Sequence, residues 1–173
     1  MLDYYEKKIY IPAVNENDEI QGRIERWEAH EKSILHRGFT IGVRYSGAFI
    51  CQHRKHPLFD GYLDLTASSH PMYACDRLIS SREMLLPTLK REWGIEPGEL
   101  LFEPESRGAV LYESRDGAYA EHEVCELFIA EIDYLPDYNP DFAHGRYFLE
   151  GDEMLEKENL APWVRAFMEE KLI

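Results

Sequence analysis

The sequence predicts an α+β domain in which helices pack on the faces of a mixed sheet, and three observations support this fold class. Apolar and polar residues alternate over residues 119–128, as expected of a half-buried strand. Residues 80–93 have the composition and the end signals of a helix. Hydrophobic residues make up 45% of the 173 residues and aromatic residues 13%, which is too apolar for a disordered chain. At this length we expect one domain that spans residues 1–173.

Turn residues divide the chain into successive elements. Two hairpins are expected, because a polar turn at 15–18 and the Ser46-Gly47 pair each separate two apolar runs. The predicted elements in chain order are a hairpin of 9–14 and 19–24, a helix at 23–35, a hairpin of 38–45 and 48–53, an extended stretch at 58–67, a helix at 80–93, strands at 100–102, 108–113 and 119–132, a loop at 136–140, a short strand at 147–149 and a helix at 162–171.

The helix at 80–93 has the clearest end signals in the chain. Ser80 or Ser81 can cap its start, Glu83 follows in the first turn, and Gly94 can end it. Pro87 lies inside the helical pattern and predicts either a kink or a later start.

The chain is strongly acidic, with 19 Lys and Arg against 33 Asp and Glu and a formal charge of -14. Such a surface repels nucleic acid and anionic membranes, so neither is expected as a partner. The sequence has no signal-peptide pattern and no apolar run of membrane-spanning length, and its three cysteines lack C-x-x-C spacing. We therefore expect a cytoplasmic protein with reduced thiols, while its oligomeric state stays open.

Two carboxylates in the strand pattern at 119–128 are the first candidate for chemistry. Glu121 and Glu123 lie two residues apart and therefore share a face of the strand. Paired acids repel unless a cation or a shared proton neutralises them. Together with His30, His36 and His70 they would form a set that suits Mn²⁺, Zn²⁺ or Fe²⁺ better than Ca²⁺. The alternative is a solvated acidic edge strand, which is common in acidic proteins.

Seven short motifs in a fixed order suggest a family. They are Trp27-Glu28-Ala29-His30, Leu35-His36-Arg37-Gly38-Phe39, Ser69-His70-Pro71, Glu92-Trp93-Gly94-Ile95, Tyr112, Glu121-His122-Glu123-Val124-Cys125 and Pro162-Trp163. In this order they resemble type I isopentenyl-diphosphate isomerase, a family of the Nudix superfamily, from about residue 5 to about residue 168. The resemblance implies a Nudix-type mixed sheet and a place in isoprenoid biosynthesis.

The resemblance also implies a metal site and a proton-transfer reaction. In the family three histidines and two glutamates hold a divalent metal, and the matching positions are His30, His36, His70, Glu121 and Glu123. The family moves a carbon-carbon double bond by adding one proton and removing another, through a tertiary carbocation. This chemistry needs an acid, a base and an electron-rich wall.

Further roles follow from the matching positions. The acid/base role falls to Glu123 with Tyr112 beside it, and the role of the aromatic wall to Trp163. For the substrate diphosphate, the resemblance assigns binding to Arg26, Arg54 and Lys55, and it assigns Glu92 to a Mg²⁺ ion that accompanies the substrate.

The sequence departs from the family at two places. Ser68 stands where the family has its catalytic cysteine, and a serine hydroxyl is a far weaker acid than a thiol. Residues 87–94 keep only Glu92 of the acids that a Nudix hydrolase has there. The sequence therefore predicts a metal-dependent isomerase-like protein in which Ser68 or a water replaces the cysteine. A hydrolase of a small diphosphate and a catalytically inactive binding module stay as alternatives, so whether the protein is an enzyme is left open.

Overall fold

A computed structural model describes residues 4–173. A 3-10 turn at Tyr4–Glu6 comes first. The elements that follow are β1 (Tyr10–Val14), β2 (Ile20–Glu25), α1 (Arg26–Glu31), β3 (His36–Tyr45), β4 (Ala48–Arg54), β5 (Leu63–Asp64), β6 (Ala67–Ser69), β7 (Met72–Ala74), β8 (Arg77–Ile79), α2 (Ser81–Trp93), β9 (Glu105–Asp116), β10 (Tyr119–Ile132), β11 (Ala143–Leu149), α3 (Gly151–Leu155) and α4 (Pro162–Glu169).

Nine of these strands form one mixed sheet, so the predicted α+β class is confirmed. The strands β11, β4, β3, β1 and β2 follow one another, and β10 pairs with β3 in parallel and with β9 in the antiparallel direction. The β3–β10 register places Glu123 opposite His36, and the β9–β10 register places Tyr112 opposite Glu123. Three motifs that are far apart in sequence therefore meet at one end of the central strands.

Hydrophobic side chains cover both faces of the sheet. On one face α2 packs its buried residues against Phe39, Ile41 and Phe128. On the other face α4 contributes Trp163 and Phe167 to a cluster that includes residues from β9 and β10. Because strand residues alternate between faces, Glu121 and Glu123 point toward the α4 side, where the cluster leaves a cavity.

Helix α2 agrees with its predicted end signals. Ser80 and Glu83 form a capping box at its start, and Gly94 ends it in the left-handed conformation. The helix begins at Ser81, so a later start is wrong, and Pro87 lies inside it with an exposed ring.

Several predicted elements are shorter than expected or absent. The helix predicted at 23–35 is only the six residues of α1, because β2 continues to Glu25, whose side chain accepts hydrogen bonds from the amides of Trp27 and Glu28. The stretch at 58–67 contains only β5 and part of β6, and residues 100–102 form a bend instead of a strand. The β7–β8 hairpin and α3 were not predicted. Among residues 4–173, no helix has the length and apolar character needed to cross a membrane.

Candidate functional site

Three histidines and a glutamate from separate parts of the chain form one cluster. His30 lies on α1, His36 begins β3, His70 follows β6, and Glu121 lies on β10. These four residues each offer a ligand atom, and the four atoms lie within 4.8 Å of one another. Glu123 adjoins the cluster, with its Oε1 atom 2.9 Å from Nε2 of His70 and 3.4 Å from Nε2 of His36.

Backbone carbonyls set the orientation of two of the imidazoles. The Nδ1 atom of His36 lies 2.7 Å from the Ile34 carbonyl, and that of His30 lies 3.1 Å from the Ala120 carbonyl. A carbonyl can only accept, so each Nδ1 carries the proton. In a neutral ring Nε2 then has no proton, so both rings could present an Nε2 lone pair to a metal ion.

Several buried polar atoms of the cluster lack a well-directed hydrogen bond, although the Glu123 carboxylate is close to two of them. They are Nε2 of His36, Nε2 of His70 and Oε2 of Glu121. A buried polar atom without a partner costs about 1–3 kcal/mol, so such atoms rarely gather without a ligand. A divalent cation would satisfy all three at once, and imidazole and carboxylate donors are those that Mn²⁺, Zn²⁺ and Fe²⁺ prefer. The cluster is thus a possible metal site.

The two glutamates differ in charge state. Burial, together with the neighbouring charge of Glu123, raises the pKa of Glu121 well above its usual range. Burial alone would also raise the pKa of Glu123, but the imidazoles of His36 and His70 outweigh it and hold this pKa well below its usual range. The pair therefore shares a proton in the absence of a cation, and a metal could take the place of that proton.

The backbone of β3 leaves space for the Glu123 carboxylate at Gly38. A Cβ atom at Gly38 would come within 2.4–2.5 Å of the carboxylate atoms of Glu123, closer than any stable contact. A larger residue at position 38 would therefore force the Glu123 carboxylate to move.

Tyr112 is hydrogen-bonded to the same acid. Its hydroxyl donates to Oε2 of Glu123 over 2.7 Å. Burial and the charges of Glu123 and Glu121 raise the pKa of Tyr112 well above its usual range, so the phenol stays protonated. Tyr112 and Glu123 both line the cavity and present a proton-carrying pair to it.

Ser68 lines the cavity but its hydroxyl is already engaged. The Oγ atom of Ser68 lies 2.8 Å from Oγ1 of Thr40, which lies 3.6 Å from the Sγ atom of Cys125. Burial, followed by the charge of Glu123, raises the pKa of the Cys125 thiol well above its usual range. Cys125 is therefore a buried neutral thiol behind Ser68.

Trp163 lines the cavity with its ring partly covered. Its indole N–H donates to Oδ1 of Asp64 over 2.7 Å, and the guanidinium carbon of Arg54 lies 4.8 Å from the ring centre. The ring of Tyr112 lies 6.1 Å away in a tilted arrangement. The positively charged side chain of Arg54 thus lies over the indole ring of Trp163.

Three arginines, Arg26, Arg54 and Arg91, line another part of the same cavity. Each has a buried Nε atom without a hydrogen-bond partner. Each guanidinium group is also held by hydrogen bonds: Nη2 of Arg26 donates to the Tyr5 carbonyl, and Nη2 of Arg91 donates to Glu92 over 2.6 Å. Fixed guanidinium groups with free N–H donors fit an anion such as a phosphate.

Two predicted binding residues lie outside this arrangement in different ways. Lys55 is exposed and donates to the Pro140 carbonyl, and it does not line the cavity. Glu92 lines the cavity but is not part of the histidine cluster, and its carboxylate accepts hydrogen bonds from Arg91 and Gln52.

Sequence reasoning missed Arg91 and His56. Arg91 stands next to Lys90 on a helix, where a basic pair normally faces solvent. His56 lines the cavity, and burial followed by the charge of Arg54 lowers its pKa well below its usual range. The Nδ1 atom of His56 lies 3.0 Å from the amide nitrogen and 3.1 Å from the carbonyl oxygen of Leu58. In both cases the signal lies in the fold and not in the local sequence.

Comparisons with known proteins agree with the motifs. No family model matches the chain. It is 26% identical over 155 residues to an isopentenyl-diphosphate Delta-isomerase of Pectobacterium atrosepticum, which covers 88% of the chain and 82% of the relative. It is 30% identical over 180 residues to isopentenyl-diphosphate Delta-isomerase I of Clarkia breweri, covering 88% of the chain and 62% of that longer protein.

Solved structures show the same fold at low sequence identity. A protein of Deinococcus radiodurans aligns with a TM-score of 0.69 and 19% identity over 94% of this chain and 98% of that chain. A MutT Nudix hydrolase of Burkholderia pseudomallei aligns with a TM-score of 0.56 and 20% identity over 78% of this chain and 96% of that chain. The fold is therefore of the Nudix type.

Proposed function

We propose that the chain is an isopentenyl-diphosphate isomerase-like member of the Nudix superfamily, which binds an allylic or homoallylic diphosphate and moves its double bond by protonation and deprotonation. The observation that carries this proposal is the single cavity that joins the histidine–glutamate cluster, the Tyr112–Glu123 pair and the three arginines. A metal, a proton carrier and an anion site are the three parts that this reaction needs.

The metal in this proposal is Mn²⁺, Zn²⁺ or Fe²⁺, held by His30, His36, His70, Glu121 and Glu123. Such an ion would neutralise the buried carboxylates and fix the orientation of Glu123. At the arginine end Glu92 is the acidic side chain on α2 that faces the cavity, and it would assist a Mg²⁺ ion that enters with the diphosphate.

The protein's own side chains supply the proton transfer. Glu123 and Tyr112 are linked by a 2.7 Å hydrogen bond, so a proton leaving one of them can be replaced through the other. An O–H bond of the Tyr112–Glu123 pair breaks as a new C–H bond forms at the terminal carbon of the double bond, which leaves a tertiary carbocation. A C–H bond then breaks at the neighbouring carbon, and a water held by Ser68 accepts this proton and releases it to solvent. The Tyr112–Glu123 pair takes up a proton from solvent to complete the cycle. The substrate neither gains nor loses atoms overall.

A binding module without turnover is the second candidate, and Ser68 favours it. Its hydroxyl is engaged by Thr40, and a serine cannot cycle between acid and base near neutral pH as a thiol can. Such a protein would keep metal and diphosphate binding and lack proton exchange. Hydrolysis is less well supported, because Glu92 is paired with Arg91 and Gln52 and few acids remain on α2.

The test is to incubate the metal-loaded protein with isopentenyl diphosphate in deuterated water and to follow deuterium in the organic product and release of phosphate. Deuterium uptake supports the isomerase, phosphate release supports a hydrolase, and binding without either supports the module.

Metal content of the purified wild type, His70→Ala and Glu121→Gln should be measured in parallel, with His144→Ala, an exposed histidine, as the control. Equal metal content in all four proteins would reject the metal site.

A further inference from the structure

Asp64 is the most deeply buried acid near the cavity, and neither the motifs nor the proposed reaction assign it a role. Its exposed fraction is 0%, and it lies on β5 next to Leu65, whose amide donates to its Oδ1 atom over 2.8 Å. Its two oxygens reach different partners: Oδ1 accepts from the indole N–H of Trp163 (2.7 Å) and Oδ2 accepts from Nη1 of Arg54 (2.8 Å).

Arg54 and Trp163 also contact each other, so the three side chains close a triangle. The guanidinium carbon lies 4.8 Å from the centre of the indole ring, and both side chains are at least 95% buried. The backbone of β5 holds the same helix, because the Ala161 amide donates to the Leu63 carbonyl at the start of α4. One carboxylate therefore fixes a residue of β4 and a residue of α4 relative to each other.

We propose that Asp64 is a positioning residue that holds the Arg54 guanidinium across the face of Trp163 and so builds the binding place for the anionic end of a diphosphate. This inference rests on the proposed function and deepens it. Nη1 of Arg54 donates to Asp64 and Nη2 donates to the Leu58 carbonyl, whereas the buried Nε–H has no partner and is available to a ligand. A guanidinium that is held before the ligand arrives loses less freedom on binding.

The triangle also determines what binds near Trp163. A cation on the ring face that Arg54 covers would meet a like charge at short range, whereas an anion would be attracted. We therefore place the diphosphate, and not the carbocationic carbon, on the Arg54 side of the indole ring.

Replacing Asp64 with a neutral residue tests the inference, because the two explanations predict opposite changes in the affinity for pyrophosphate. If the carboxylate only offsets the charge of Arg54, Asp64→Asn leaves a stronger positive field and inorganic pyrophosphate binds more tightly. If it positions Arg54, the affinity of the metal-loaded protein for pyrophosphate falls about tenfold despite the gain in positive charge. The charge-matched control is Asp141→Asn, at an exposed aspartate, which should leave the affinity as in the wild type. Unchanged or tighter binding by Asp64→Asn, measured by calorimetry, overturns the inference.

A second variant covers the case in which Asp64→Asn does not fold. Trp163→Phe keeps an aromatic ring but removes the N–H that holds Oδ1 of Asp64, and it should weaken pyrophosphate binding by a smaller factor. Binding as tight as in the wild type would also count against the triangle.

A measurement without ligand separates this inference from the proposed function. In the free protein the Nε–H proton of Arg54 should show a ring-current shift in NMR spectra, assigned by its absence in Arg54→Lys. The shift should be lost in Asp64→Asn and in Trp163→Leu. If the shift persists in Asp64→Asn, Asp64 does not position Arg54. If the shift behaves as expected and the wild type does not bind pyrophosphate, the positioning role stands and the proposed diphosphate function fails.

Discussion

The histidine–glutamate end and the arginine end of the cavity are alike in one respect and opposite in another. Both contain buried polar atoms without well-directed hydrogen bonds, on His36, His70 and Glu121 at one end and on three arginines at the other. At the first end these atoms are lone pairs and negative charge, which call for a cation. At the second end they are N–H donors on positive charge, which call for an anion. Two unsatisfied ends of opposite sign in one cavity fit a metal together with an anionic ligand.

The largest expected effect is a loss of proton exchange on changing Glu123, at the histidine–glutamate end. Glu123→Gln should lower proton exchange into isopentenyl diphosphate by about 10² to 10⁴, the usual contribution of a positioned acid or base. Pyrophosphate binding should change little, because the three arginines are untouched. Deuterium uptake and calorimetry on the same preparation check both statements. Equal losses in both assays would mean that the two ends do not act separately.

A gain of proton-exchange activity is expected from a substitution of Ser68, which also lines the cavity. Ser68→Cys would restore a group that can act as both acid and base, and it should raise proton exchange by about 10². Ser68→Ala is the matched control and should show no gain. The rate of deuterium uptake at saturating substrate is the measurement. If Ser68→Cys binds substrate as the wild type does and exchanges no faster, the pocket is shaped for another reaction.

The arginine end is tested by a pair of basic residues that differ in position. Arg91→Ala should weaken pyrophosphate binding about ten- to a hundredfold, since a hydrogen bond to a charged group is worth about 1.5–3 kcal/mol. Lys55→Ala removes the same charge from a side chain that lies outside the cavity and should have little effect. Metal content should stay at the wild-type level in both variants. Equal weakening by the two changes would indicate a general charge effect and not a site.

Much of the fold could be predicted because its strongest signals are local. The alternation over 119–128 lies in β10, and the capping box and Gly94 bound α2 as expected. The prediction of a helix over 23–35 was wrong in its bounds, because composition does not show where a strand ends and the following helix begins. Glu25 caps α1 with its side chain, a role that its residue type seldom has. The β7–β8 hairpin and α3 are short, and such elements depend on packing more than on local preference.

Some residues of the candidate site could likewise be predicted from the sequence, and others could not. The five candidate ligand positions could be named because the motifs that carry them resemble a family, and strand pairing brings Glu123 opposite His36. Arg91 and Asp64 could not be named, because nothing in a local sequence shows that a helix arginine turns inward or that an aspartate bridges β4 and α4. Buried charges are chosen by three-dimensional partners, and sequence spacing does not reveal those partners.

The smallest expected effect concerns His56, which lies in the cavity wall near the arginines. Burial and the charge of Arg54 hold its pKa well below the usual 6.5, so the folded protein keeps the ring neutral. The unfolded chain takes up a proton as the pH falls through about 6.5. Below that pH the unfolded state therefore binds more protons than the folded state, and the stability contributed by the neutral ring, complete above pH 6.5, is lost as the pH falls.

Replacing His56 should accordingly flatten part of the pH dependence of unfolding. In a chelating buffer, which keeps metal out of the comparison, the wild type should lose more stability between pH 7.5 and pH 5.5 than His56→Gln does. His30 and His70, whose pKa values burial also lowers, will leave a remaining slope in the variant. Lys55→Gln, in the same loop, is the control and should keep the wild-type slope. Urea unfolding at pH 7.5 and pH 5.5 gives the free energy of unfolding of the wild type and of each variant at both pH values. Equal losses in the wild type and in His56→Gln would mean that His56 is protonated in the folded protein, and a cationic imidazole would then join the arginines at the anion end.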